Sequence, residues 1–577
     1  MVRLTGQSSR MRLQGHITNL IRALAVAALC VAAAVPAAAQ PAQKHVIAVA
    51  DARAADAGLQ ILRQGGTAVD AAIAMQMVLG LVEPQSSGIG GGLFLLHLRG
   101  EDGRMDAYDG RETAPAAVSA KLYEDSNGAP LSYRAVVGSG RSVGVPGTLR
   151  ALELAHRDYG KLPWARLFAP AIALAEAGFE VSPRLAGEIA DDALLANSPT
   201  ARGYFFDADG RPKPAGTRIV NSAYAAVLRG VAAEGPDAFY TGPIAAAIAA
   251  AVTSDARGAG VMTAADVSDY RAVRRTPLCG PYRRWSICSV PAPSSGSLTV
   301  LQILGMIEGF DIGVQPRPTA ESVHIIAEAS RLAFADRAAY IADPTFSPVP
   351  AQELISRGYL AARSQLISPA KAAGNVQPGL PSRRTEVIQS DAELPATSHM
   401  SIVDGYGNAV AMTTSVEAPF GARLMVHGFL LNNQLTDFDL GFRRIQVQGP
   451  NGVEPGKRPR SSMAPTFGFD TDGKLAFIVG SPGGTRIIGF VVKTIVGLID
   501  WKLDMQAAID LPNFLDRGSE TELESGRGTE PLAEALRERG HKVSLTRLVS
   551  GVNGIRITAD GMTGGADKRR EGVVLGE

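Results

Sequence analysis

Thr397-Ser-His-Met-Ser-Ile-Val-Asp-Gly-Tyr-Gly-Asn-Ala-Val-Ala-Met-Thr-Thr-Ser415 reads as a β-hairpin with hydroxyl side chains at both outer ends. Ser401-Ile-Val403 and Ala409-Val-Ala-Met412 are strand-like, and Asp404-Gly-Tyr-Gly-Asn408 between them is turn chemistry led by Asp-Gly. A loop centred on Tyr406 without a bulge sets Thr397 opposite Ser415 and His399 opposite Thr413. Side chains alternate along a strand, so these four share one face.

Thr and Ser on a half-exposed sheet surface need no function. What precedes this hairpin adds another reading. The run from Ser368 to Ala396 carries four Pro and two Gly among polar and charged residues and reads as a loop, so Thr397 opens the first ordered strand after an exposed segment. If the Ala396–Thr397 bond is cut, the freed α-amine lies beside its own hydroxyl and serves it as base, with a pKa of roughly 7.7–8.0.

Outward from the hairpin, 577 residues call for several domains or one large layered fold, and 46% hydrophobic with 20% charged residues is ordinary globular composition. A net charge of +1 without a basic run gives no footing to a nucleic-acid partner. Eight scattered His and three Cys show no metal-ligand spacing. At the start, Arg3, Arg10, Arg12 and Arg22 precede an apolar run from Ala23 to Val35 and then Pro36-Ala-Ala-Ala39. This is the pattern of a secretory signal over residues 1–39, with export to the periplasm or beyond and a mature chain from Gln40. A retained anchor is the alternative, although the apolar part is short for a span and Leu29 spoils Ala27-Ala-Leu-Cys30 as a lipoprotein box. Cys279 and Cys288 bracket a turn-like stretch between two short strands, where a disulfide or two buried thiols fit equally.

Helical patterns cover Asp51–Arg63, Ala68 to about Leu81, Leu149–Tyr159, Trp164–Ala177, Tyr224–Gly230, Ile244–Ser254, Leu298–Ile307 and Thr319–Tyr340, with no linker before Ser368. Ser86-Ser-Gly-Ile-Gly-Gly-Gly92 lies between a helix and a strand, the reverse of the dinucleotide-binding order, so close backbone packing is the better reading. Near the C-terminal end, the strand-like Leu475–Val479 runs into Gly480-Ser-Pro-Gly-Gly484 and a helix from about Thr485 to Trp501. N–H groups of such a turn suit an oxyanion; a phosphate is the rival ligand, but no P-loop Lys follows.

Thr397-Ser-His-Met-Ser-Ile-Val-Asp404, Leu430-Leu-Asn-Asn-Gln-Leu-Thr-Asp437, Arg458-Pro-Arg-Ser-Ser-Met-Ala-Pro465 and Ser481-Pro-Gly-Gly484, in this order, resemble the motif series of the γ-glutamyltransferase family. These are N-terminal-nucleophile hydrolases that cleave themselves into two subunits. The likeness runs from about Val46 to Gly564-Gly-Ala-Asp-Lys-Arg-Arg-Glu-Gly572. It implies an α+β fold, a four-layer αββα sandwich, with a large subunit of residues 40–396 and a small catalytic subunit of residues 397–577 forming a heterodimer. It further implies γ-glutamyl transfer from glutathione and related amides, through a Thr397 acyl-enzyme, to water or to an amino acid or peptide amine. No metal or organic cofactor is implied.

By the same resemblance Thr397, Ser415, Gly483 and Gly484 are catalytic. Arg111, in Asp109-Gly-Arg-Glu-Thr-Ala-Pro115, would hold the donor α-carboxylate with Ser461 and Ser462, while Gln434, Asp437 and Glu417 would receive its α-ammonium. The chain departs from the family pattern at Glu417, where Asn is common, and at Ser415, where Thr is common. Phe438–Arg460 also reads as shorter than a full lid. The alternatives are a glutaryl or cephalosporin acylase of the same fold and an uncleaved, inactive binding homologue.

Overall fold

The alternation read in the hairpin builds the centre of the molecule, seen in a computed structural model that describes Met1 and residues 44–379, 396–440 and 449–577. The expected secretory signal beyond Met1, most of the Pro-containing run before Thr397 and part of the Phe438–Arg460 stretch lie outside the described residues. In chain order, the strands that matter are β1 (Val46–Val49), β2 (Gly92–Leu98), β3 (Met105–Asp109), β4 (Val273–Arg275), β5 (Leu278–Tyr282), β6 (Trp285–Ser289), β7 (Ser398–Val403), β8 (Ala409–Ser415), β9 (Thr466–Phe469), β10 (Leu475–Gly480), β11 (Asn553–Thr558), β12 (Gly561–Ala566) and β13 (Val573–Gly576). A seven-stranded sheet runs β13-β1-β7-β8-β2-β3-β4 and a six-stranded sheet β12-β11-β10-β9-β6-β5.

Period two decides what each face of the first sheet meets. Met400, Ile402, Val410 and Met412 belong to one apolar core, shared with the helices α1 (Ala52–Arg63) and α2 (Ala68–Val82). Their neighbours Val403, Ala409 and Ala411 point the other way, into a core shared with the second sheet. Beyond that sheet lie α3 (Gly296–Ile307), α4 (Ala320–Tyr340) and α5 (Ile487–Ile499). The result is helix, sheet, sheet, helix, the four-layer αββα arrangement of an α+β fold.

The hairpin is pinned at both ends. In its turn, the Asp404 carboxylate accepts from Tyr406 N and Asn408 N and also from Ala68 N at the start of α2. Its inner face is locked to the second sheet: Asn553 Nδ2 donates to His399 O at 3.1 Å, and the His399 ring lies where a Cβ on Gly480 would come within 2.2 Å of it. The pairing is the bulge-free one expected, His399 with Thr413 and Ser398 with Thr414. Gly90 and Gly91 press backbone to backbone; a Cβ on either would sit 2.1 Å from Leu430 O or Ser415 O. Cys279 and Cys288 are directly paired across β5 and β6 and form a disulfide, with Cα atoms 4.1 Å apart. The expected helix Trp164–Ala177 is broken into a 3-10 turn Trp164–Phe168 and a helix Ala169–Ala177. Pro170 has no N–H to continue the first and suits the opening turn of the second.

Candidate active site

Thr397 lies where the hairpin frays into the chain that precedes it, 3% exposed, and the peptide bond before it is intact. Its Oγ1 is 3.0 Å from Ser415 Oγ and also contacts Ala396 O, while Ser415 Oγ reaches the same carbonyl oxygen at 3.0 Å. Glu417 N donates to Ser415 Oγ at 2.8 Å, which fixes that oxygen as an acceptor. Both hydroxyls donate to Ala396 O, which polarises the carbonyl beside the nucleophile, and the two hydroxyl oxygens lie next to each other at 3.0 Å. His399 takes no part, since its ring nitrogens meet Thr413 Oγ1 at 2.8 Å and Ser401 Oγ at 3.2 Å, and burial pushes its pKa down to about 3.

A chain of contacts leads from this point to the residues expected to recognise the acyl group. Glu417 is held at φ 81°, in the left-handed region, with Ala396 N donating to its carbonyl and its carboxylate hydrogen-bonded by Asn433 Nδ2. The next residue, Gln434, donates from Nε2 to Asp437 Oδ2 at 3.2 Å, while its Oε1 is buried with no partner among the described residues. Asp437 Oδ2 also accepts from Arg111 Nη2 at 2.5 Å. Arg111, 1% exposed, also donates from Nε to Pro459 O and from Nη2 to Arg460 O, one residue short of Ser461. Ser462 Oγ accepts from Arg337 Nη2 at 2.8 Å and keeps its own proton to give. Among the described residues no hydrogen bond joins Ser461 or Ser462 to Arg111 directly; the backbone of Arg460 links them.

Two carboxyls lie next to Arg111, and they differ in charge state. Glu112 lies 3.8 Å from Arg111, but both its carboxylate oxygens are buried without a partner among the described residues. Burial outweighs the pull of Arg111 and lifts the carboxyl to about 8, so near neutrality Glu112 is protonated and does not neutralise the guanidinium. Arg111 therefore keeps its charge and is paired with the Asp437 carboxylate, while the Glu417 carboxylate is held by Asn433.

The glycine turn closes the circle. Gly483 has φ 141° and Gly484 φ 57°, and they lead through the 3-10 turn Gly484–Arg486 into α5. Gly551 is squeezed between Pro482 and the Arg570 side chain, 2.6 and 2.7 Å from where its Cβ would be, and Arg570 Nη1 donates to Thr397 O at 2.9 Å. Thus Gly551 separates the turn from Arg570, whose guanidinium holds Thr397 O. Sequence reasoning did not single out Arg570, Asn433 or Glu112. Their only signals were adjacency, to Gln434 for Asn433 and to Arg111 for Glu112, and a place in the C-terminal motif for Arg570.

The family model described as Gamma-glutamyltranspeptidase matches residues 54–577. The chain belongs to the gamma-glutamyltranspeptidase family. It is 36% identical to the glutathione hydrolase proenzyme of Escherichia coli (strain K12) over 92% of this chain and 91% of that one. It is 38% identical to the acylase ACY 1 proenzyme of Pseudomonas sp. (strain SE83) over 90% and 91%. Among solved structures, the cephalosporin acylase from Bacillus halodurans superposes with a TM-score of 0.80 at 27% identity, covering 92% of this chain and 96% of its own. Gamma-glutamyltranspeptidase family membership makes the protein an enzyme; both curated relatives are named as proenzymes.

Proposed function

We propose that the protein cuts itself before Thr397 and then transfers γ-glutamyl groups from glutathione and related γ-glutamyl amides to water or to amino acid and peptide amines. The observation that carries this reading is the Thr397–Ser415–Ala396 hydroxyl and carbonyl cluster, reached within a few contacts of the Arg111–Asp437 pair. In the first step Thr397 Oγ adds to the Ala396 carbonyl carbon, the C–N bond breaks to leave an ester, and water hydrolyses it. The products are a carboxylate at Ala396 and a free amine on Thr397. Because Ala396 is only 2% exposed, departure of that end opens the pocket that its side chain and carbonyl now fill.

In the second step the amine takes the Thr397 Oγ proton as the oxygen attacks the donor's γ-carbonyl. Gly483 and Gly484 N–H groups stabilise the oxyanion, and the proton passes to the leaving amine. Water or an acceptor amine then opens the ester. Arg111 with Ser461 and Ser462 would grip the donor α-carboxylate, and Asp437, Gln434 and Glu417 its α-ammonium. A guanidinium beside the Asp437 carboxylate fits that zwitterion better than a glutaryl group, which has no ammonium.

A glutaryl or cephalosporin acylase remains the second reading, favoured by the 38% identity to an acylase proenzyme. Paired donors decide between them: γ-glutamyl and glutaryl anilides assayed on the same preparation. A preference of tenfold or more for the γ-glutamyl compound is expected; equal or reversed rates would overturn the donor assignment. We further propose export, with residues 1–39 removed and the two chains of residues 40–396 and 397–577 remaining associated. Among the described residues no helix is long and apolar enough to cross a membrane.

A further inference from the structure

Thr397 is gripped from the side opposite Ser415 by a buried charge network that none of the steps above employs. Arg570, 8% exposed, sits in the turn ahead of β13 and donates from Nη1 to Thr397 O at 2.9 Å, while its Nε is buried without a partner among the described residues. The neighbouring Ser398 Oγ donates to Glu83 Oε2 at 2.6 Å, and Glu83 in turn pairs with Arg184. The backbone of Thr397 and Ser398 is therefore clamped between a guanidinium on the carbonyl and a carboxylate on the adjacent side chain.

We infer that Arg570 is a positioning residue for the mature enzyme: it fixes the freed N-terminal threonine through its carbonyl, and its charge keeps the threonine's α-amine neutral. Once the Ala396–Thr397 bond is gone, Thr397 has lost its covalent tie on one side. Arg570 on O, Ser415 on Oγ and the ladder from Ser398 onward are then what orient it. A base must be unprotonated to accept the Oγ proton, and a like charge within about 6 Å disfavours the ammonium form.

The surroundings of that charge bear on its effect. Glu83, Glu188 and Asp567 oppose Arg570, while Arg184 reinforces it. On the Ser415 side, Glu417 presents its carbonyl to Ala396 N and its carboxylate to Asn433. His399 on the same strand is neutral. Burial, then Arg184, holds Arg570 below the ordinary arginine value, at about 10, so it stays charged throughout the working range. Of these charged groups Arg570 is the one hydrogen-bonded to Thr397 itself, whereas Glu83 reaches Ser398 and is paired with Arg184.

This inference rests on the reading of Thr397 as the N-terminal nucleophile, so the first measurement is the N-terminus of the small fragment. A start other than Thr397 refutes that reading itself. Given a Thr397 start, the acid limb of kcat/KM for γ-glutamyl anilide hydrolysis is compared in wild type, Arg570→Met and Arg570→Lys. The wild-type limb should fall about one unit below that of a free α-amine, Arg570→Met should move it up by about one unit, and Arg570→Lys should restore it. If Arg570→Met does not mature, Arg570→Lys carries the test, and a matured enzyme with the wild-type limb is the expected result. An Arg570→Met enzyme with an unmoved limb, or an Arg570→Lys chain that stays uncut or shows a limb displaced by a full unit, would overturn the inference while leaving the nucleophile standing.

Discussion

At one end of the site Thr397 and Ser415 sit on or just beyond paired strands; at the other, Arg111 and Glu417 sit in loops and Gln434 and Asp437 on a 3-10 turn. The first group is placed by ladder register, by the Gly91 contact behind Ser415 and by the lock between the two sheets. The second is placed by its own mutual contacts, including a non-glycine residue held at positive φ. The chemistry thus rests on the most over-determined part of the fold, and recognition rests on parts whose geometry depends on one another. Damage to the first end should stop the reaction, whereas damage to the second should weaken the donor's grip.

The largest effect should come from Thr397→Ala, which removes the oxygen used in both steps: a denaturing gel should show one uncut band, and anilide hydrolysis should be absent. Ser415→Ala comes next. It deletes the hydroxyl shared by Thr397 Oγ1 and Ala396 O, and loss of such a donor, worth roughly 3 kcal/mol, should slow maturation by about two orders of magnitude in a time course of band appearance. At the recognition end, Arg111→Ala and Asp437→Ala should mature normally and lose about one to two orders of magnitude in kcat/KM, from ~1.5–3 kcal/mol for a charge-assisted contact. If either of these blocked self-cleavage, the separation between the two ends would not hold.

The smallest effect concerns Glu112. Its carboxyl ordinarily titrates at 4.5 and is held to about 8 by burial. A raised folded-state pKa means that its contribution to stability is complete below 4.5 and is lost as pH climbs through 8. Above that point a new anion appears beside Arg111 and competes with the donor carboxylate. The KM for γ-glutamyl anilide should therefore rise several-fold between pH 7.5 and 9 in the wild type, and less in Glu112→Gln, where no such charge can form. Equal alkaline rises in both enzymes would remove Glu112 from the recognition end.

The same division explains what the sequence made legible. Strict alternation around Asp404-Gly-Tyr-Gly-Asn408 specifies a register, and with it the nearness of two hydroxyls at the end of the hairpin. The order of helix, glycines and strand around Gly90–Gly92 likewise pointed to backbone packing rather than a ligand loop. The apolar pattern of Trp164–Ala177 continues through Pro170 and so hides the break that its missing N–H makes. Nothing local ties Arg111 to Asp437 or Arg570 to Thr397, since a partner hundreds of residues away leaves no period in the chain. Those residues were suggested only by motif resemblance, or not at all.

The central claim, that this fold exposes Thr397 as its own nucleophile, is tested most directly by intact mass and N-terminal sequencing of the purified protein's fragments. The account predicts a small fragment that begins Thr397-Ser-His-Met and ends at Glu577. A small fragment with any other first residue, or an uncut chain that hydrolyses γ-glutamyl anilide, would contradict it.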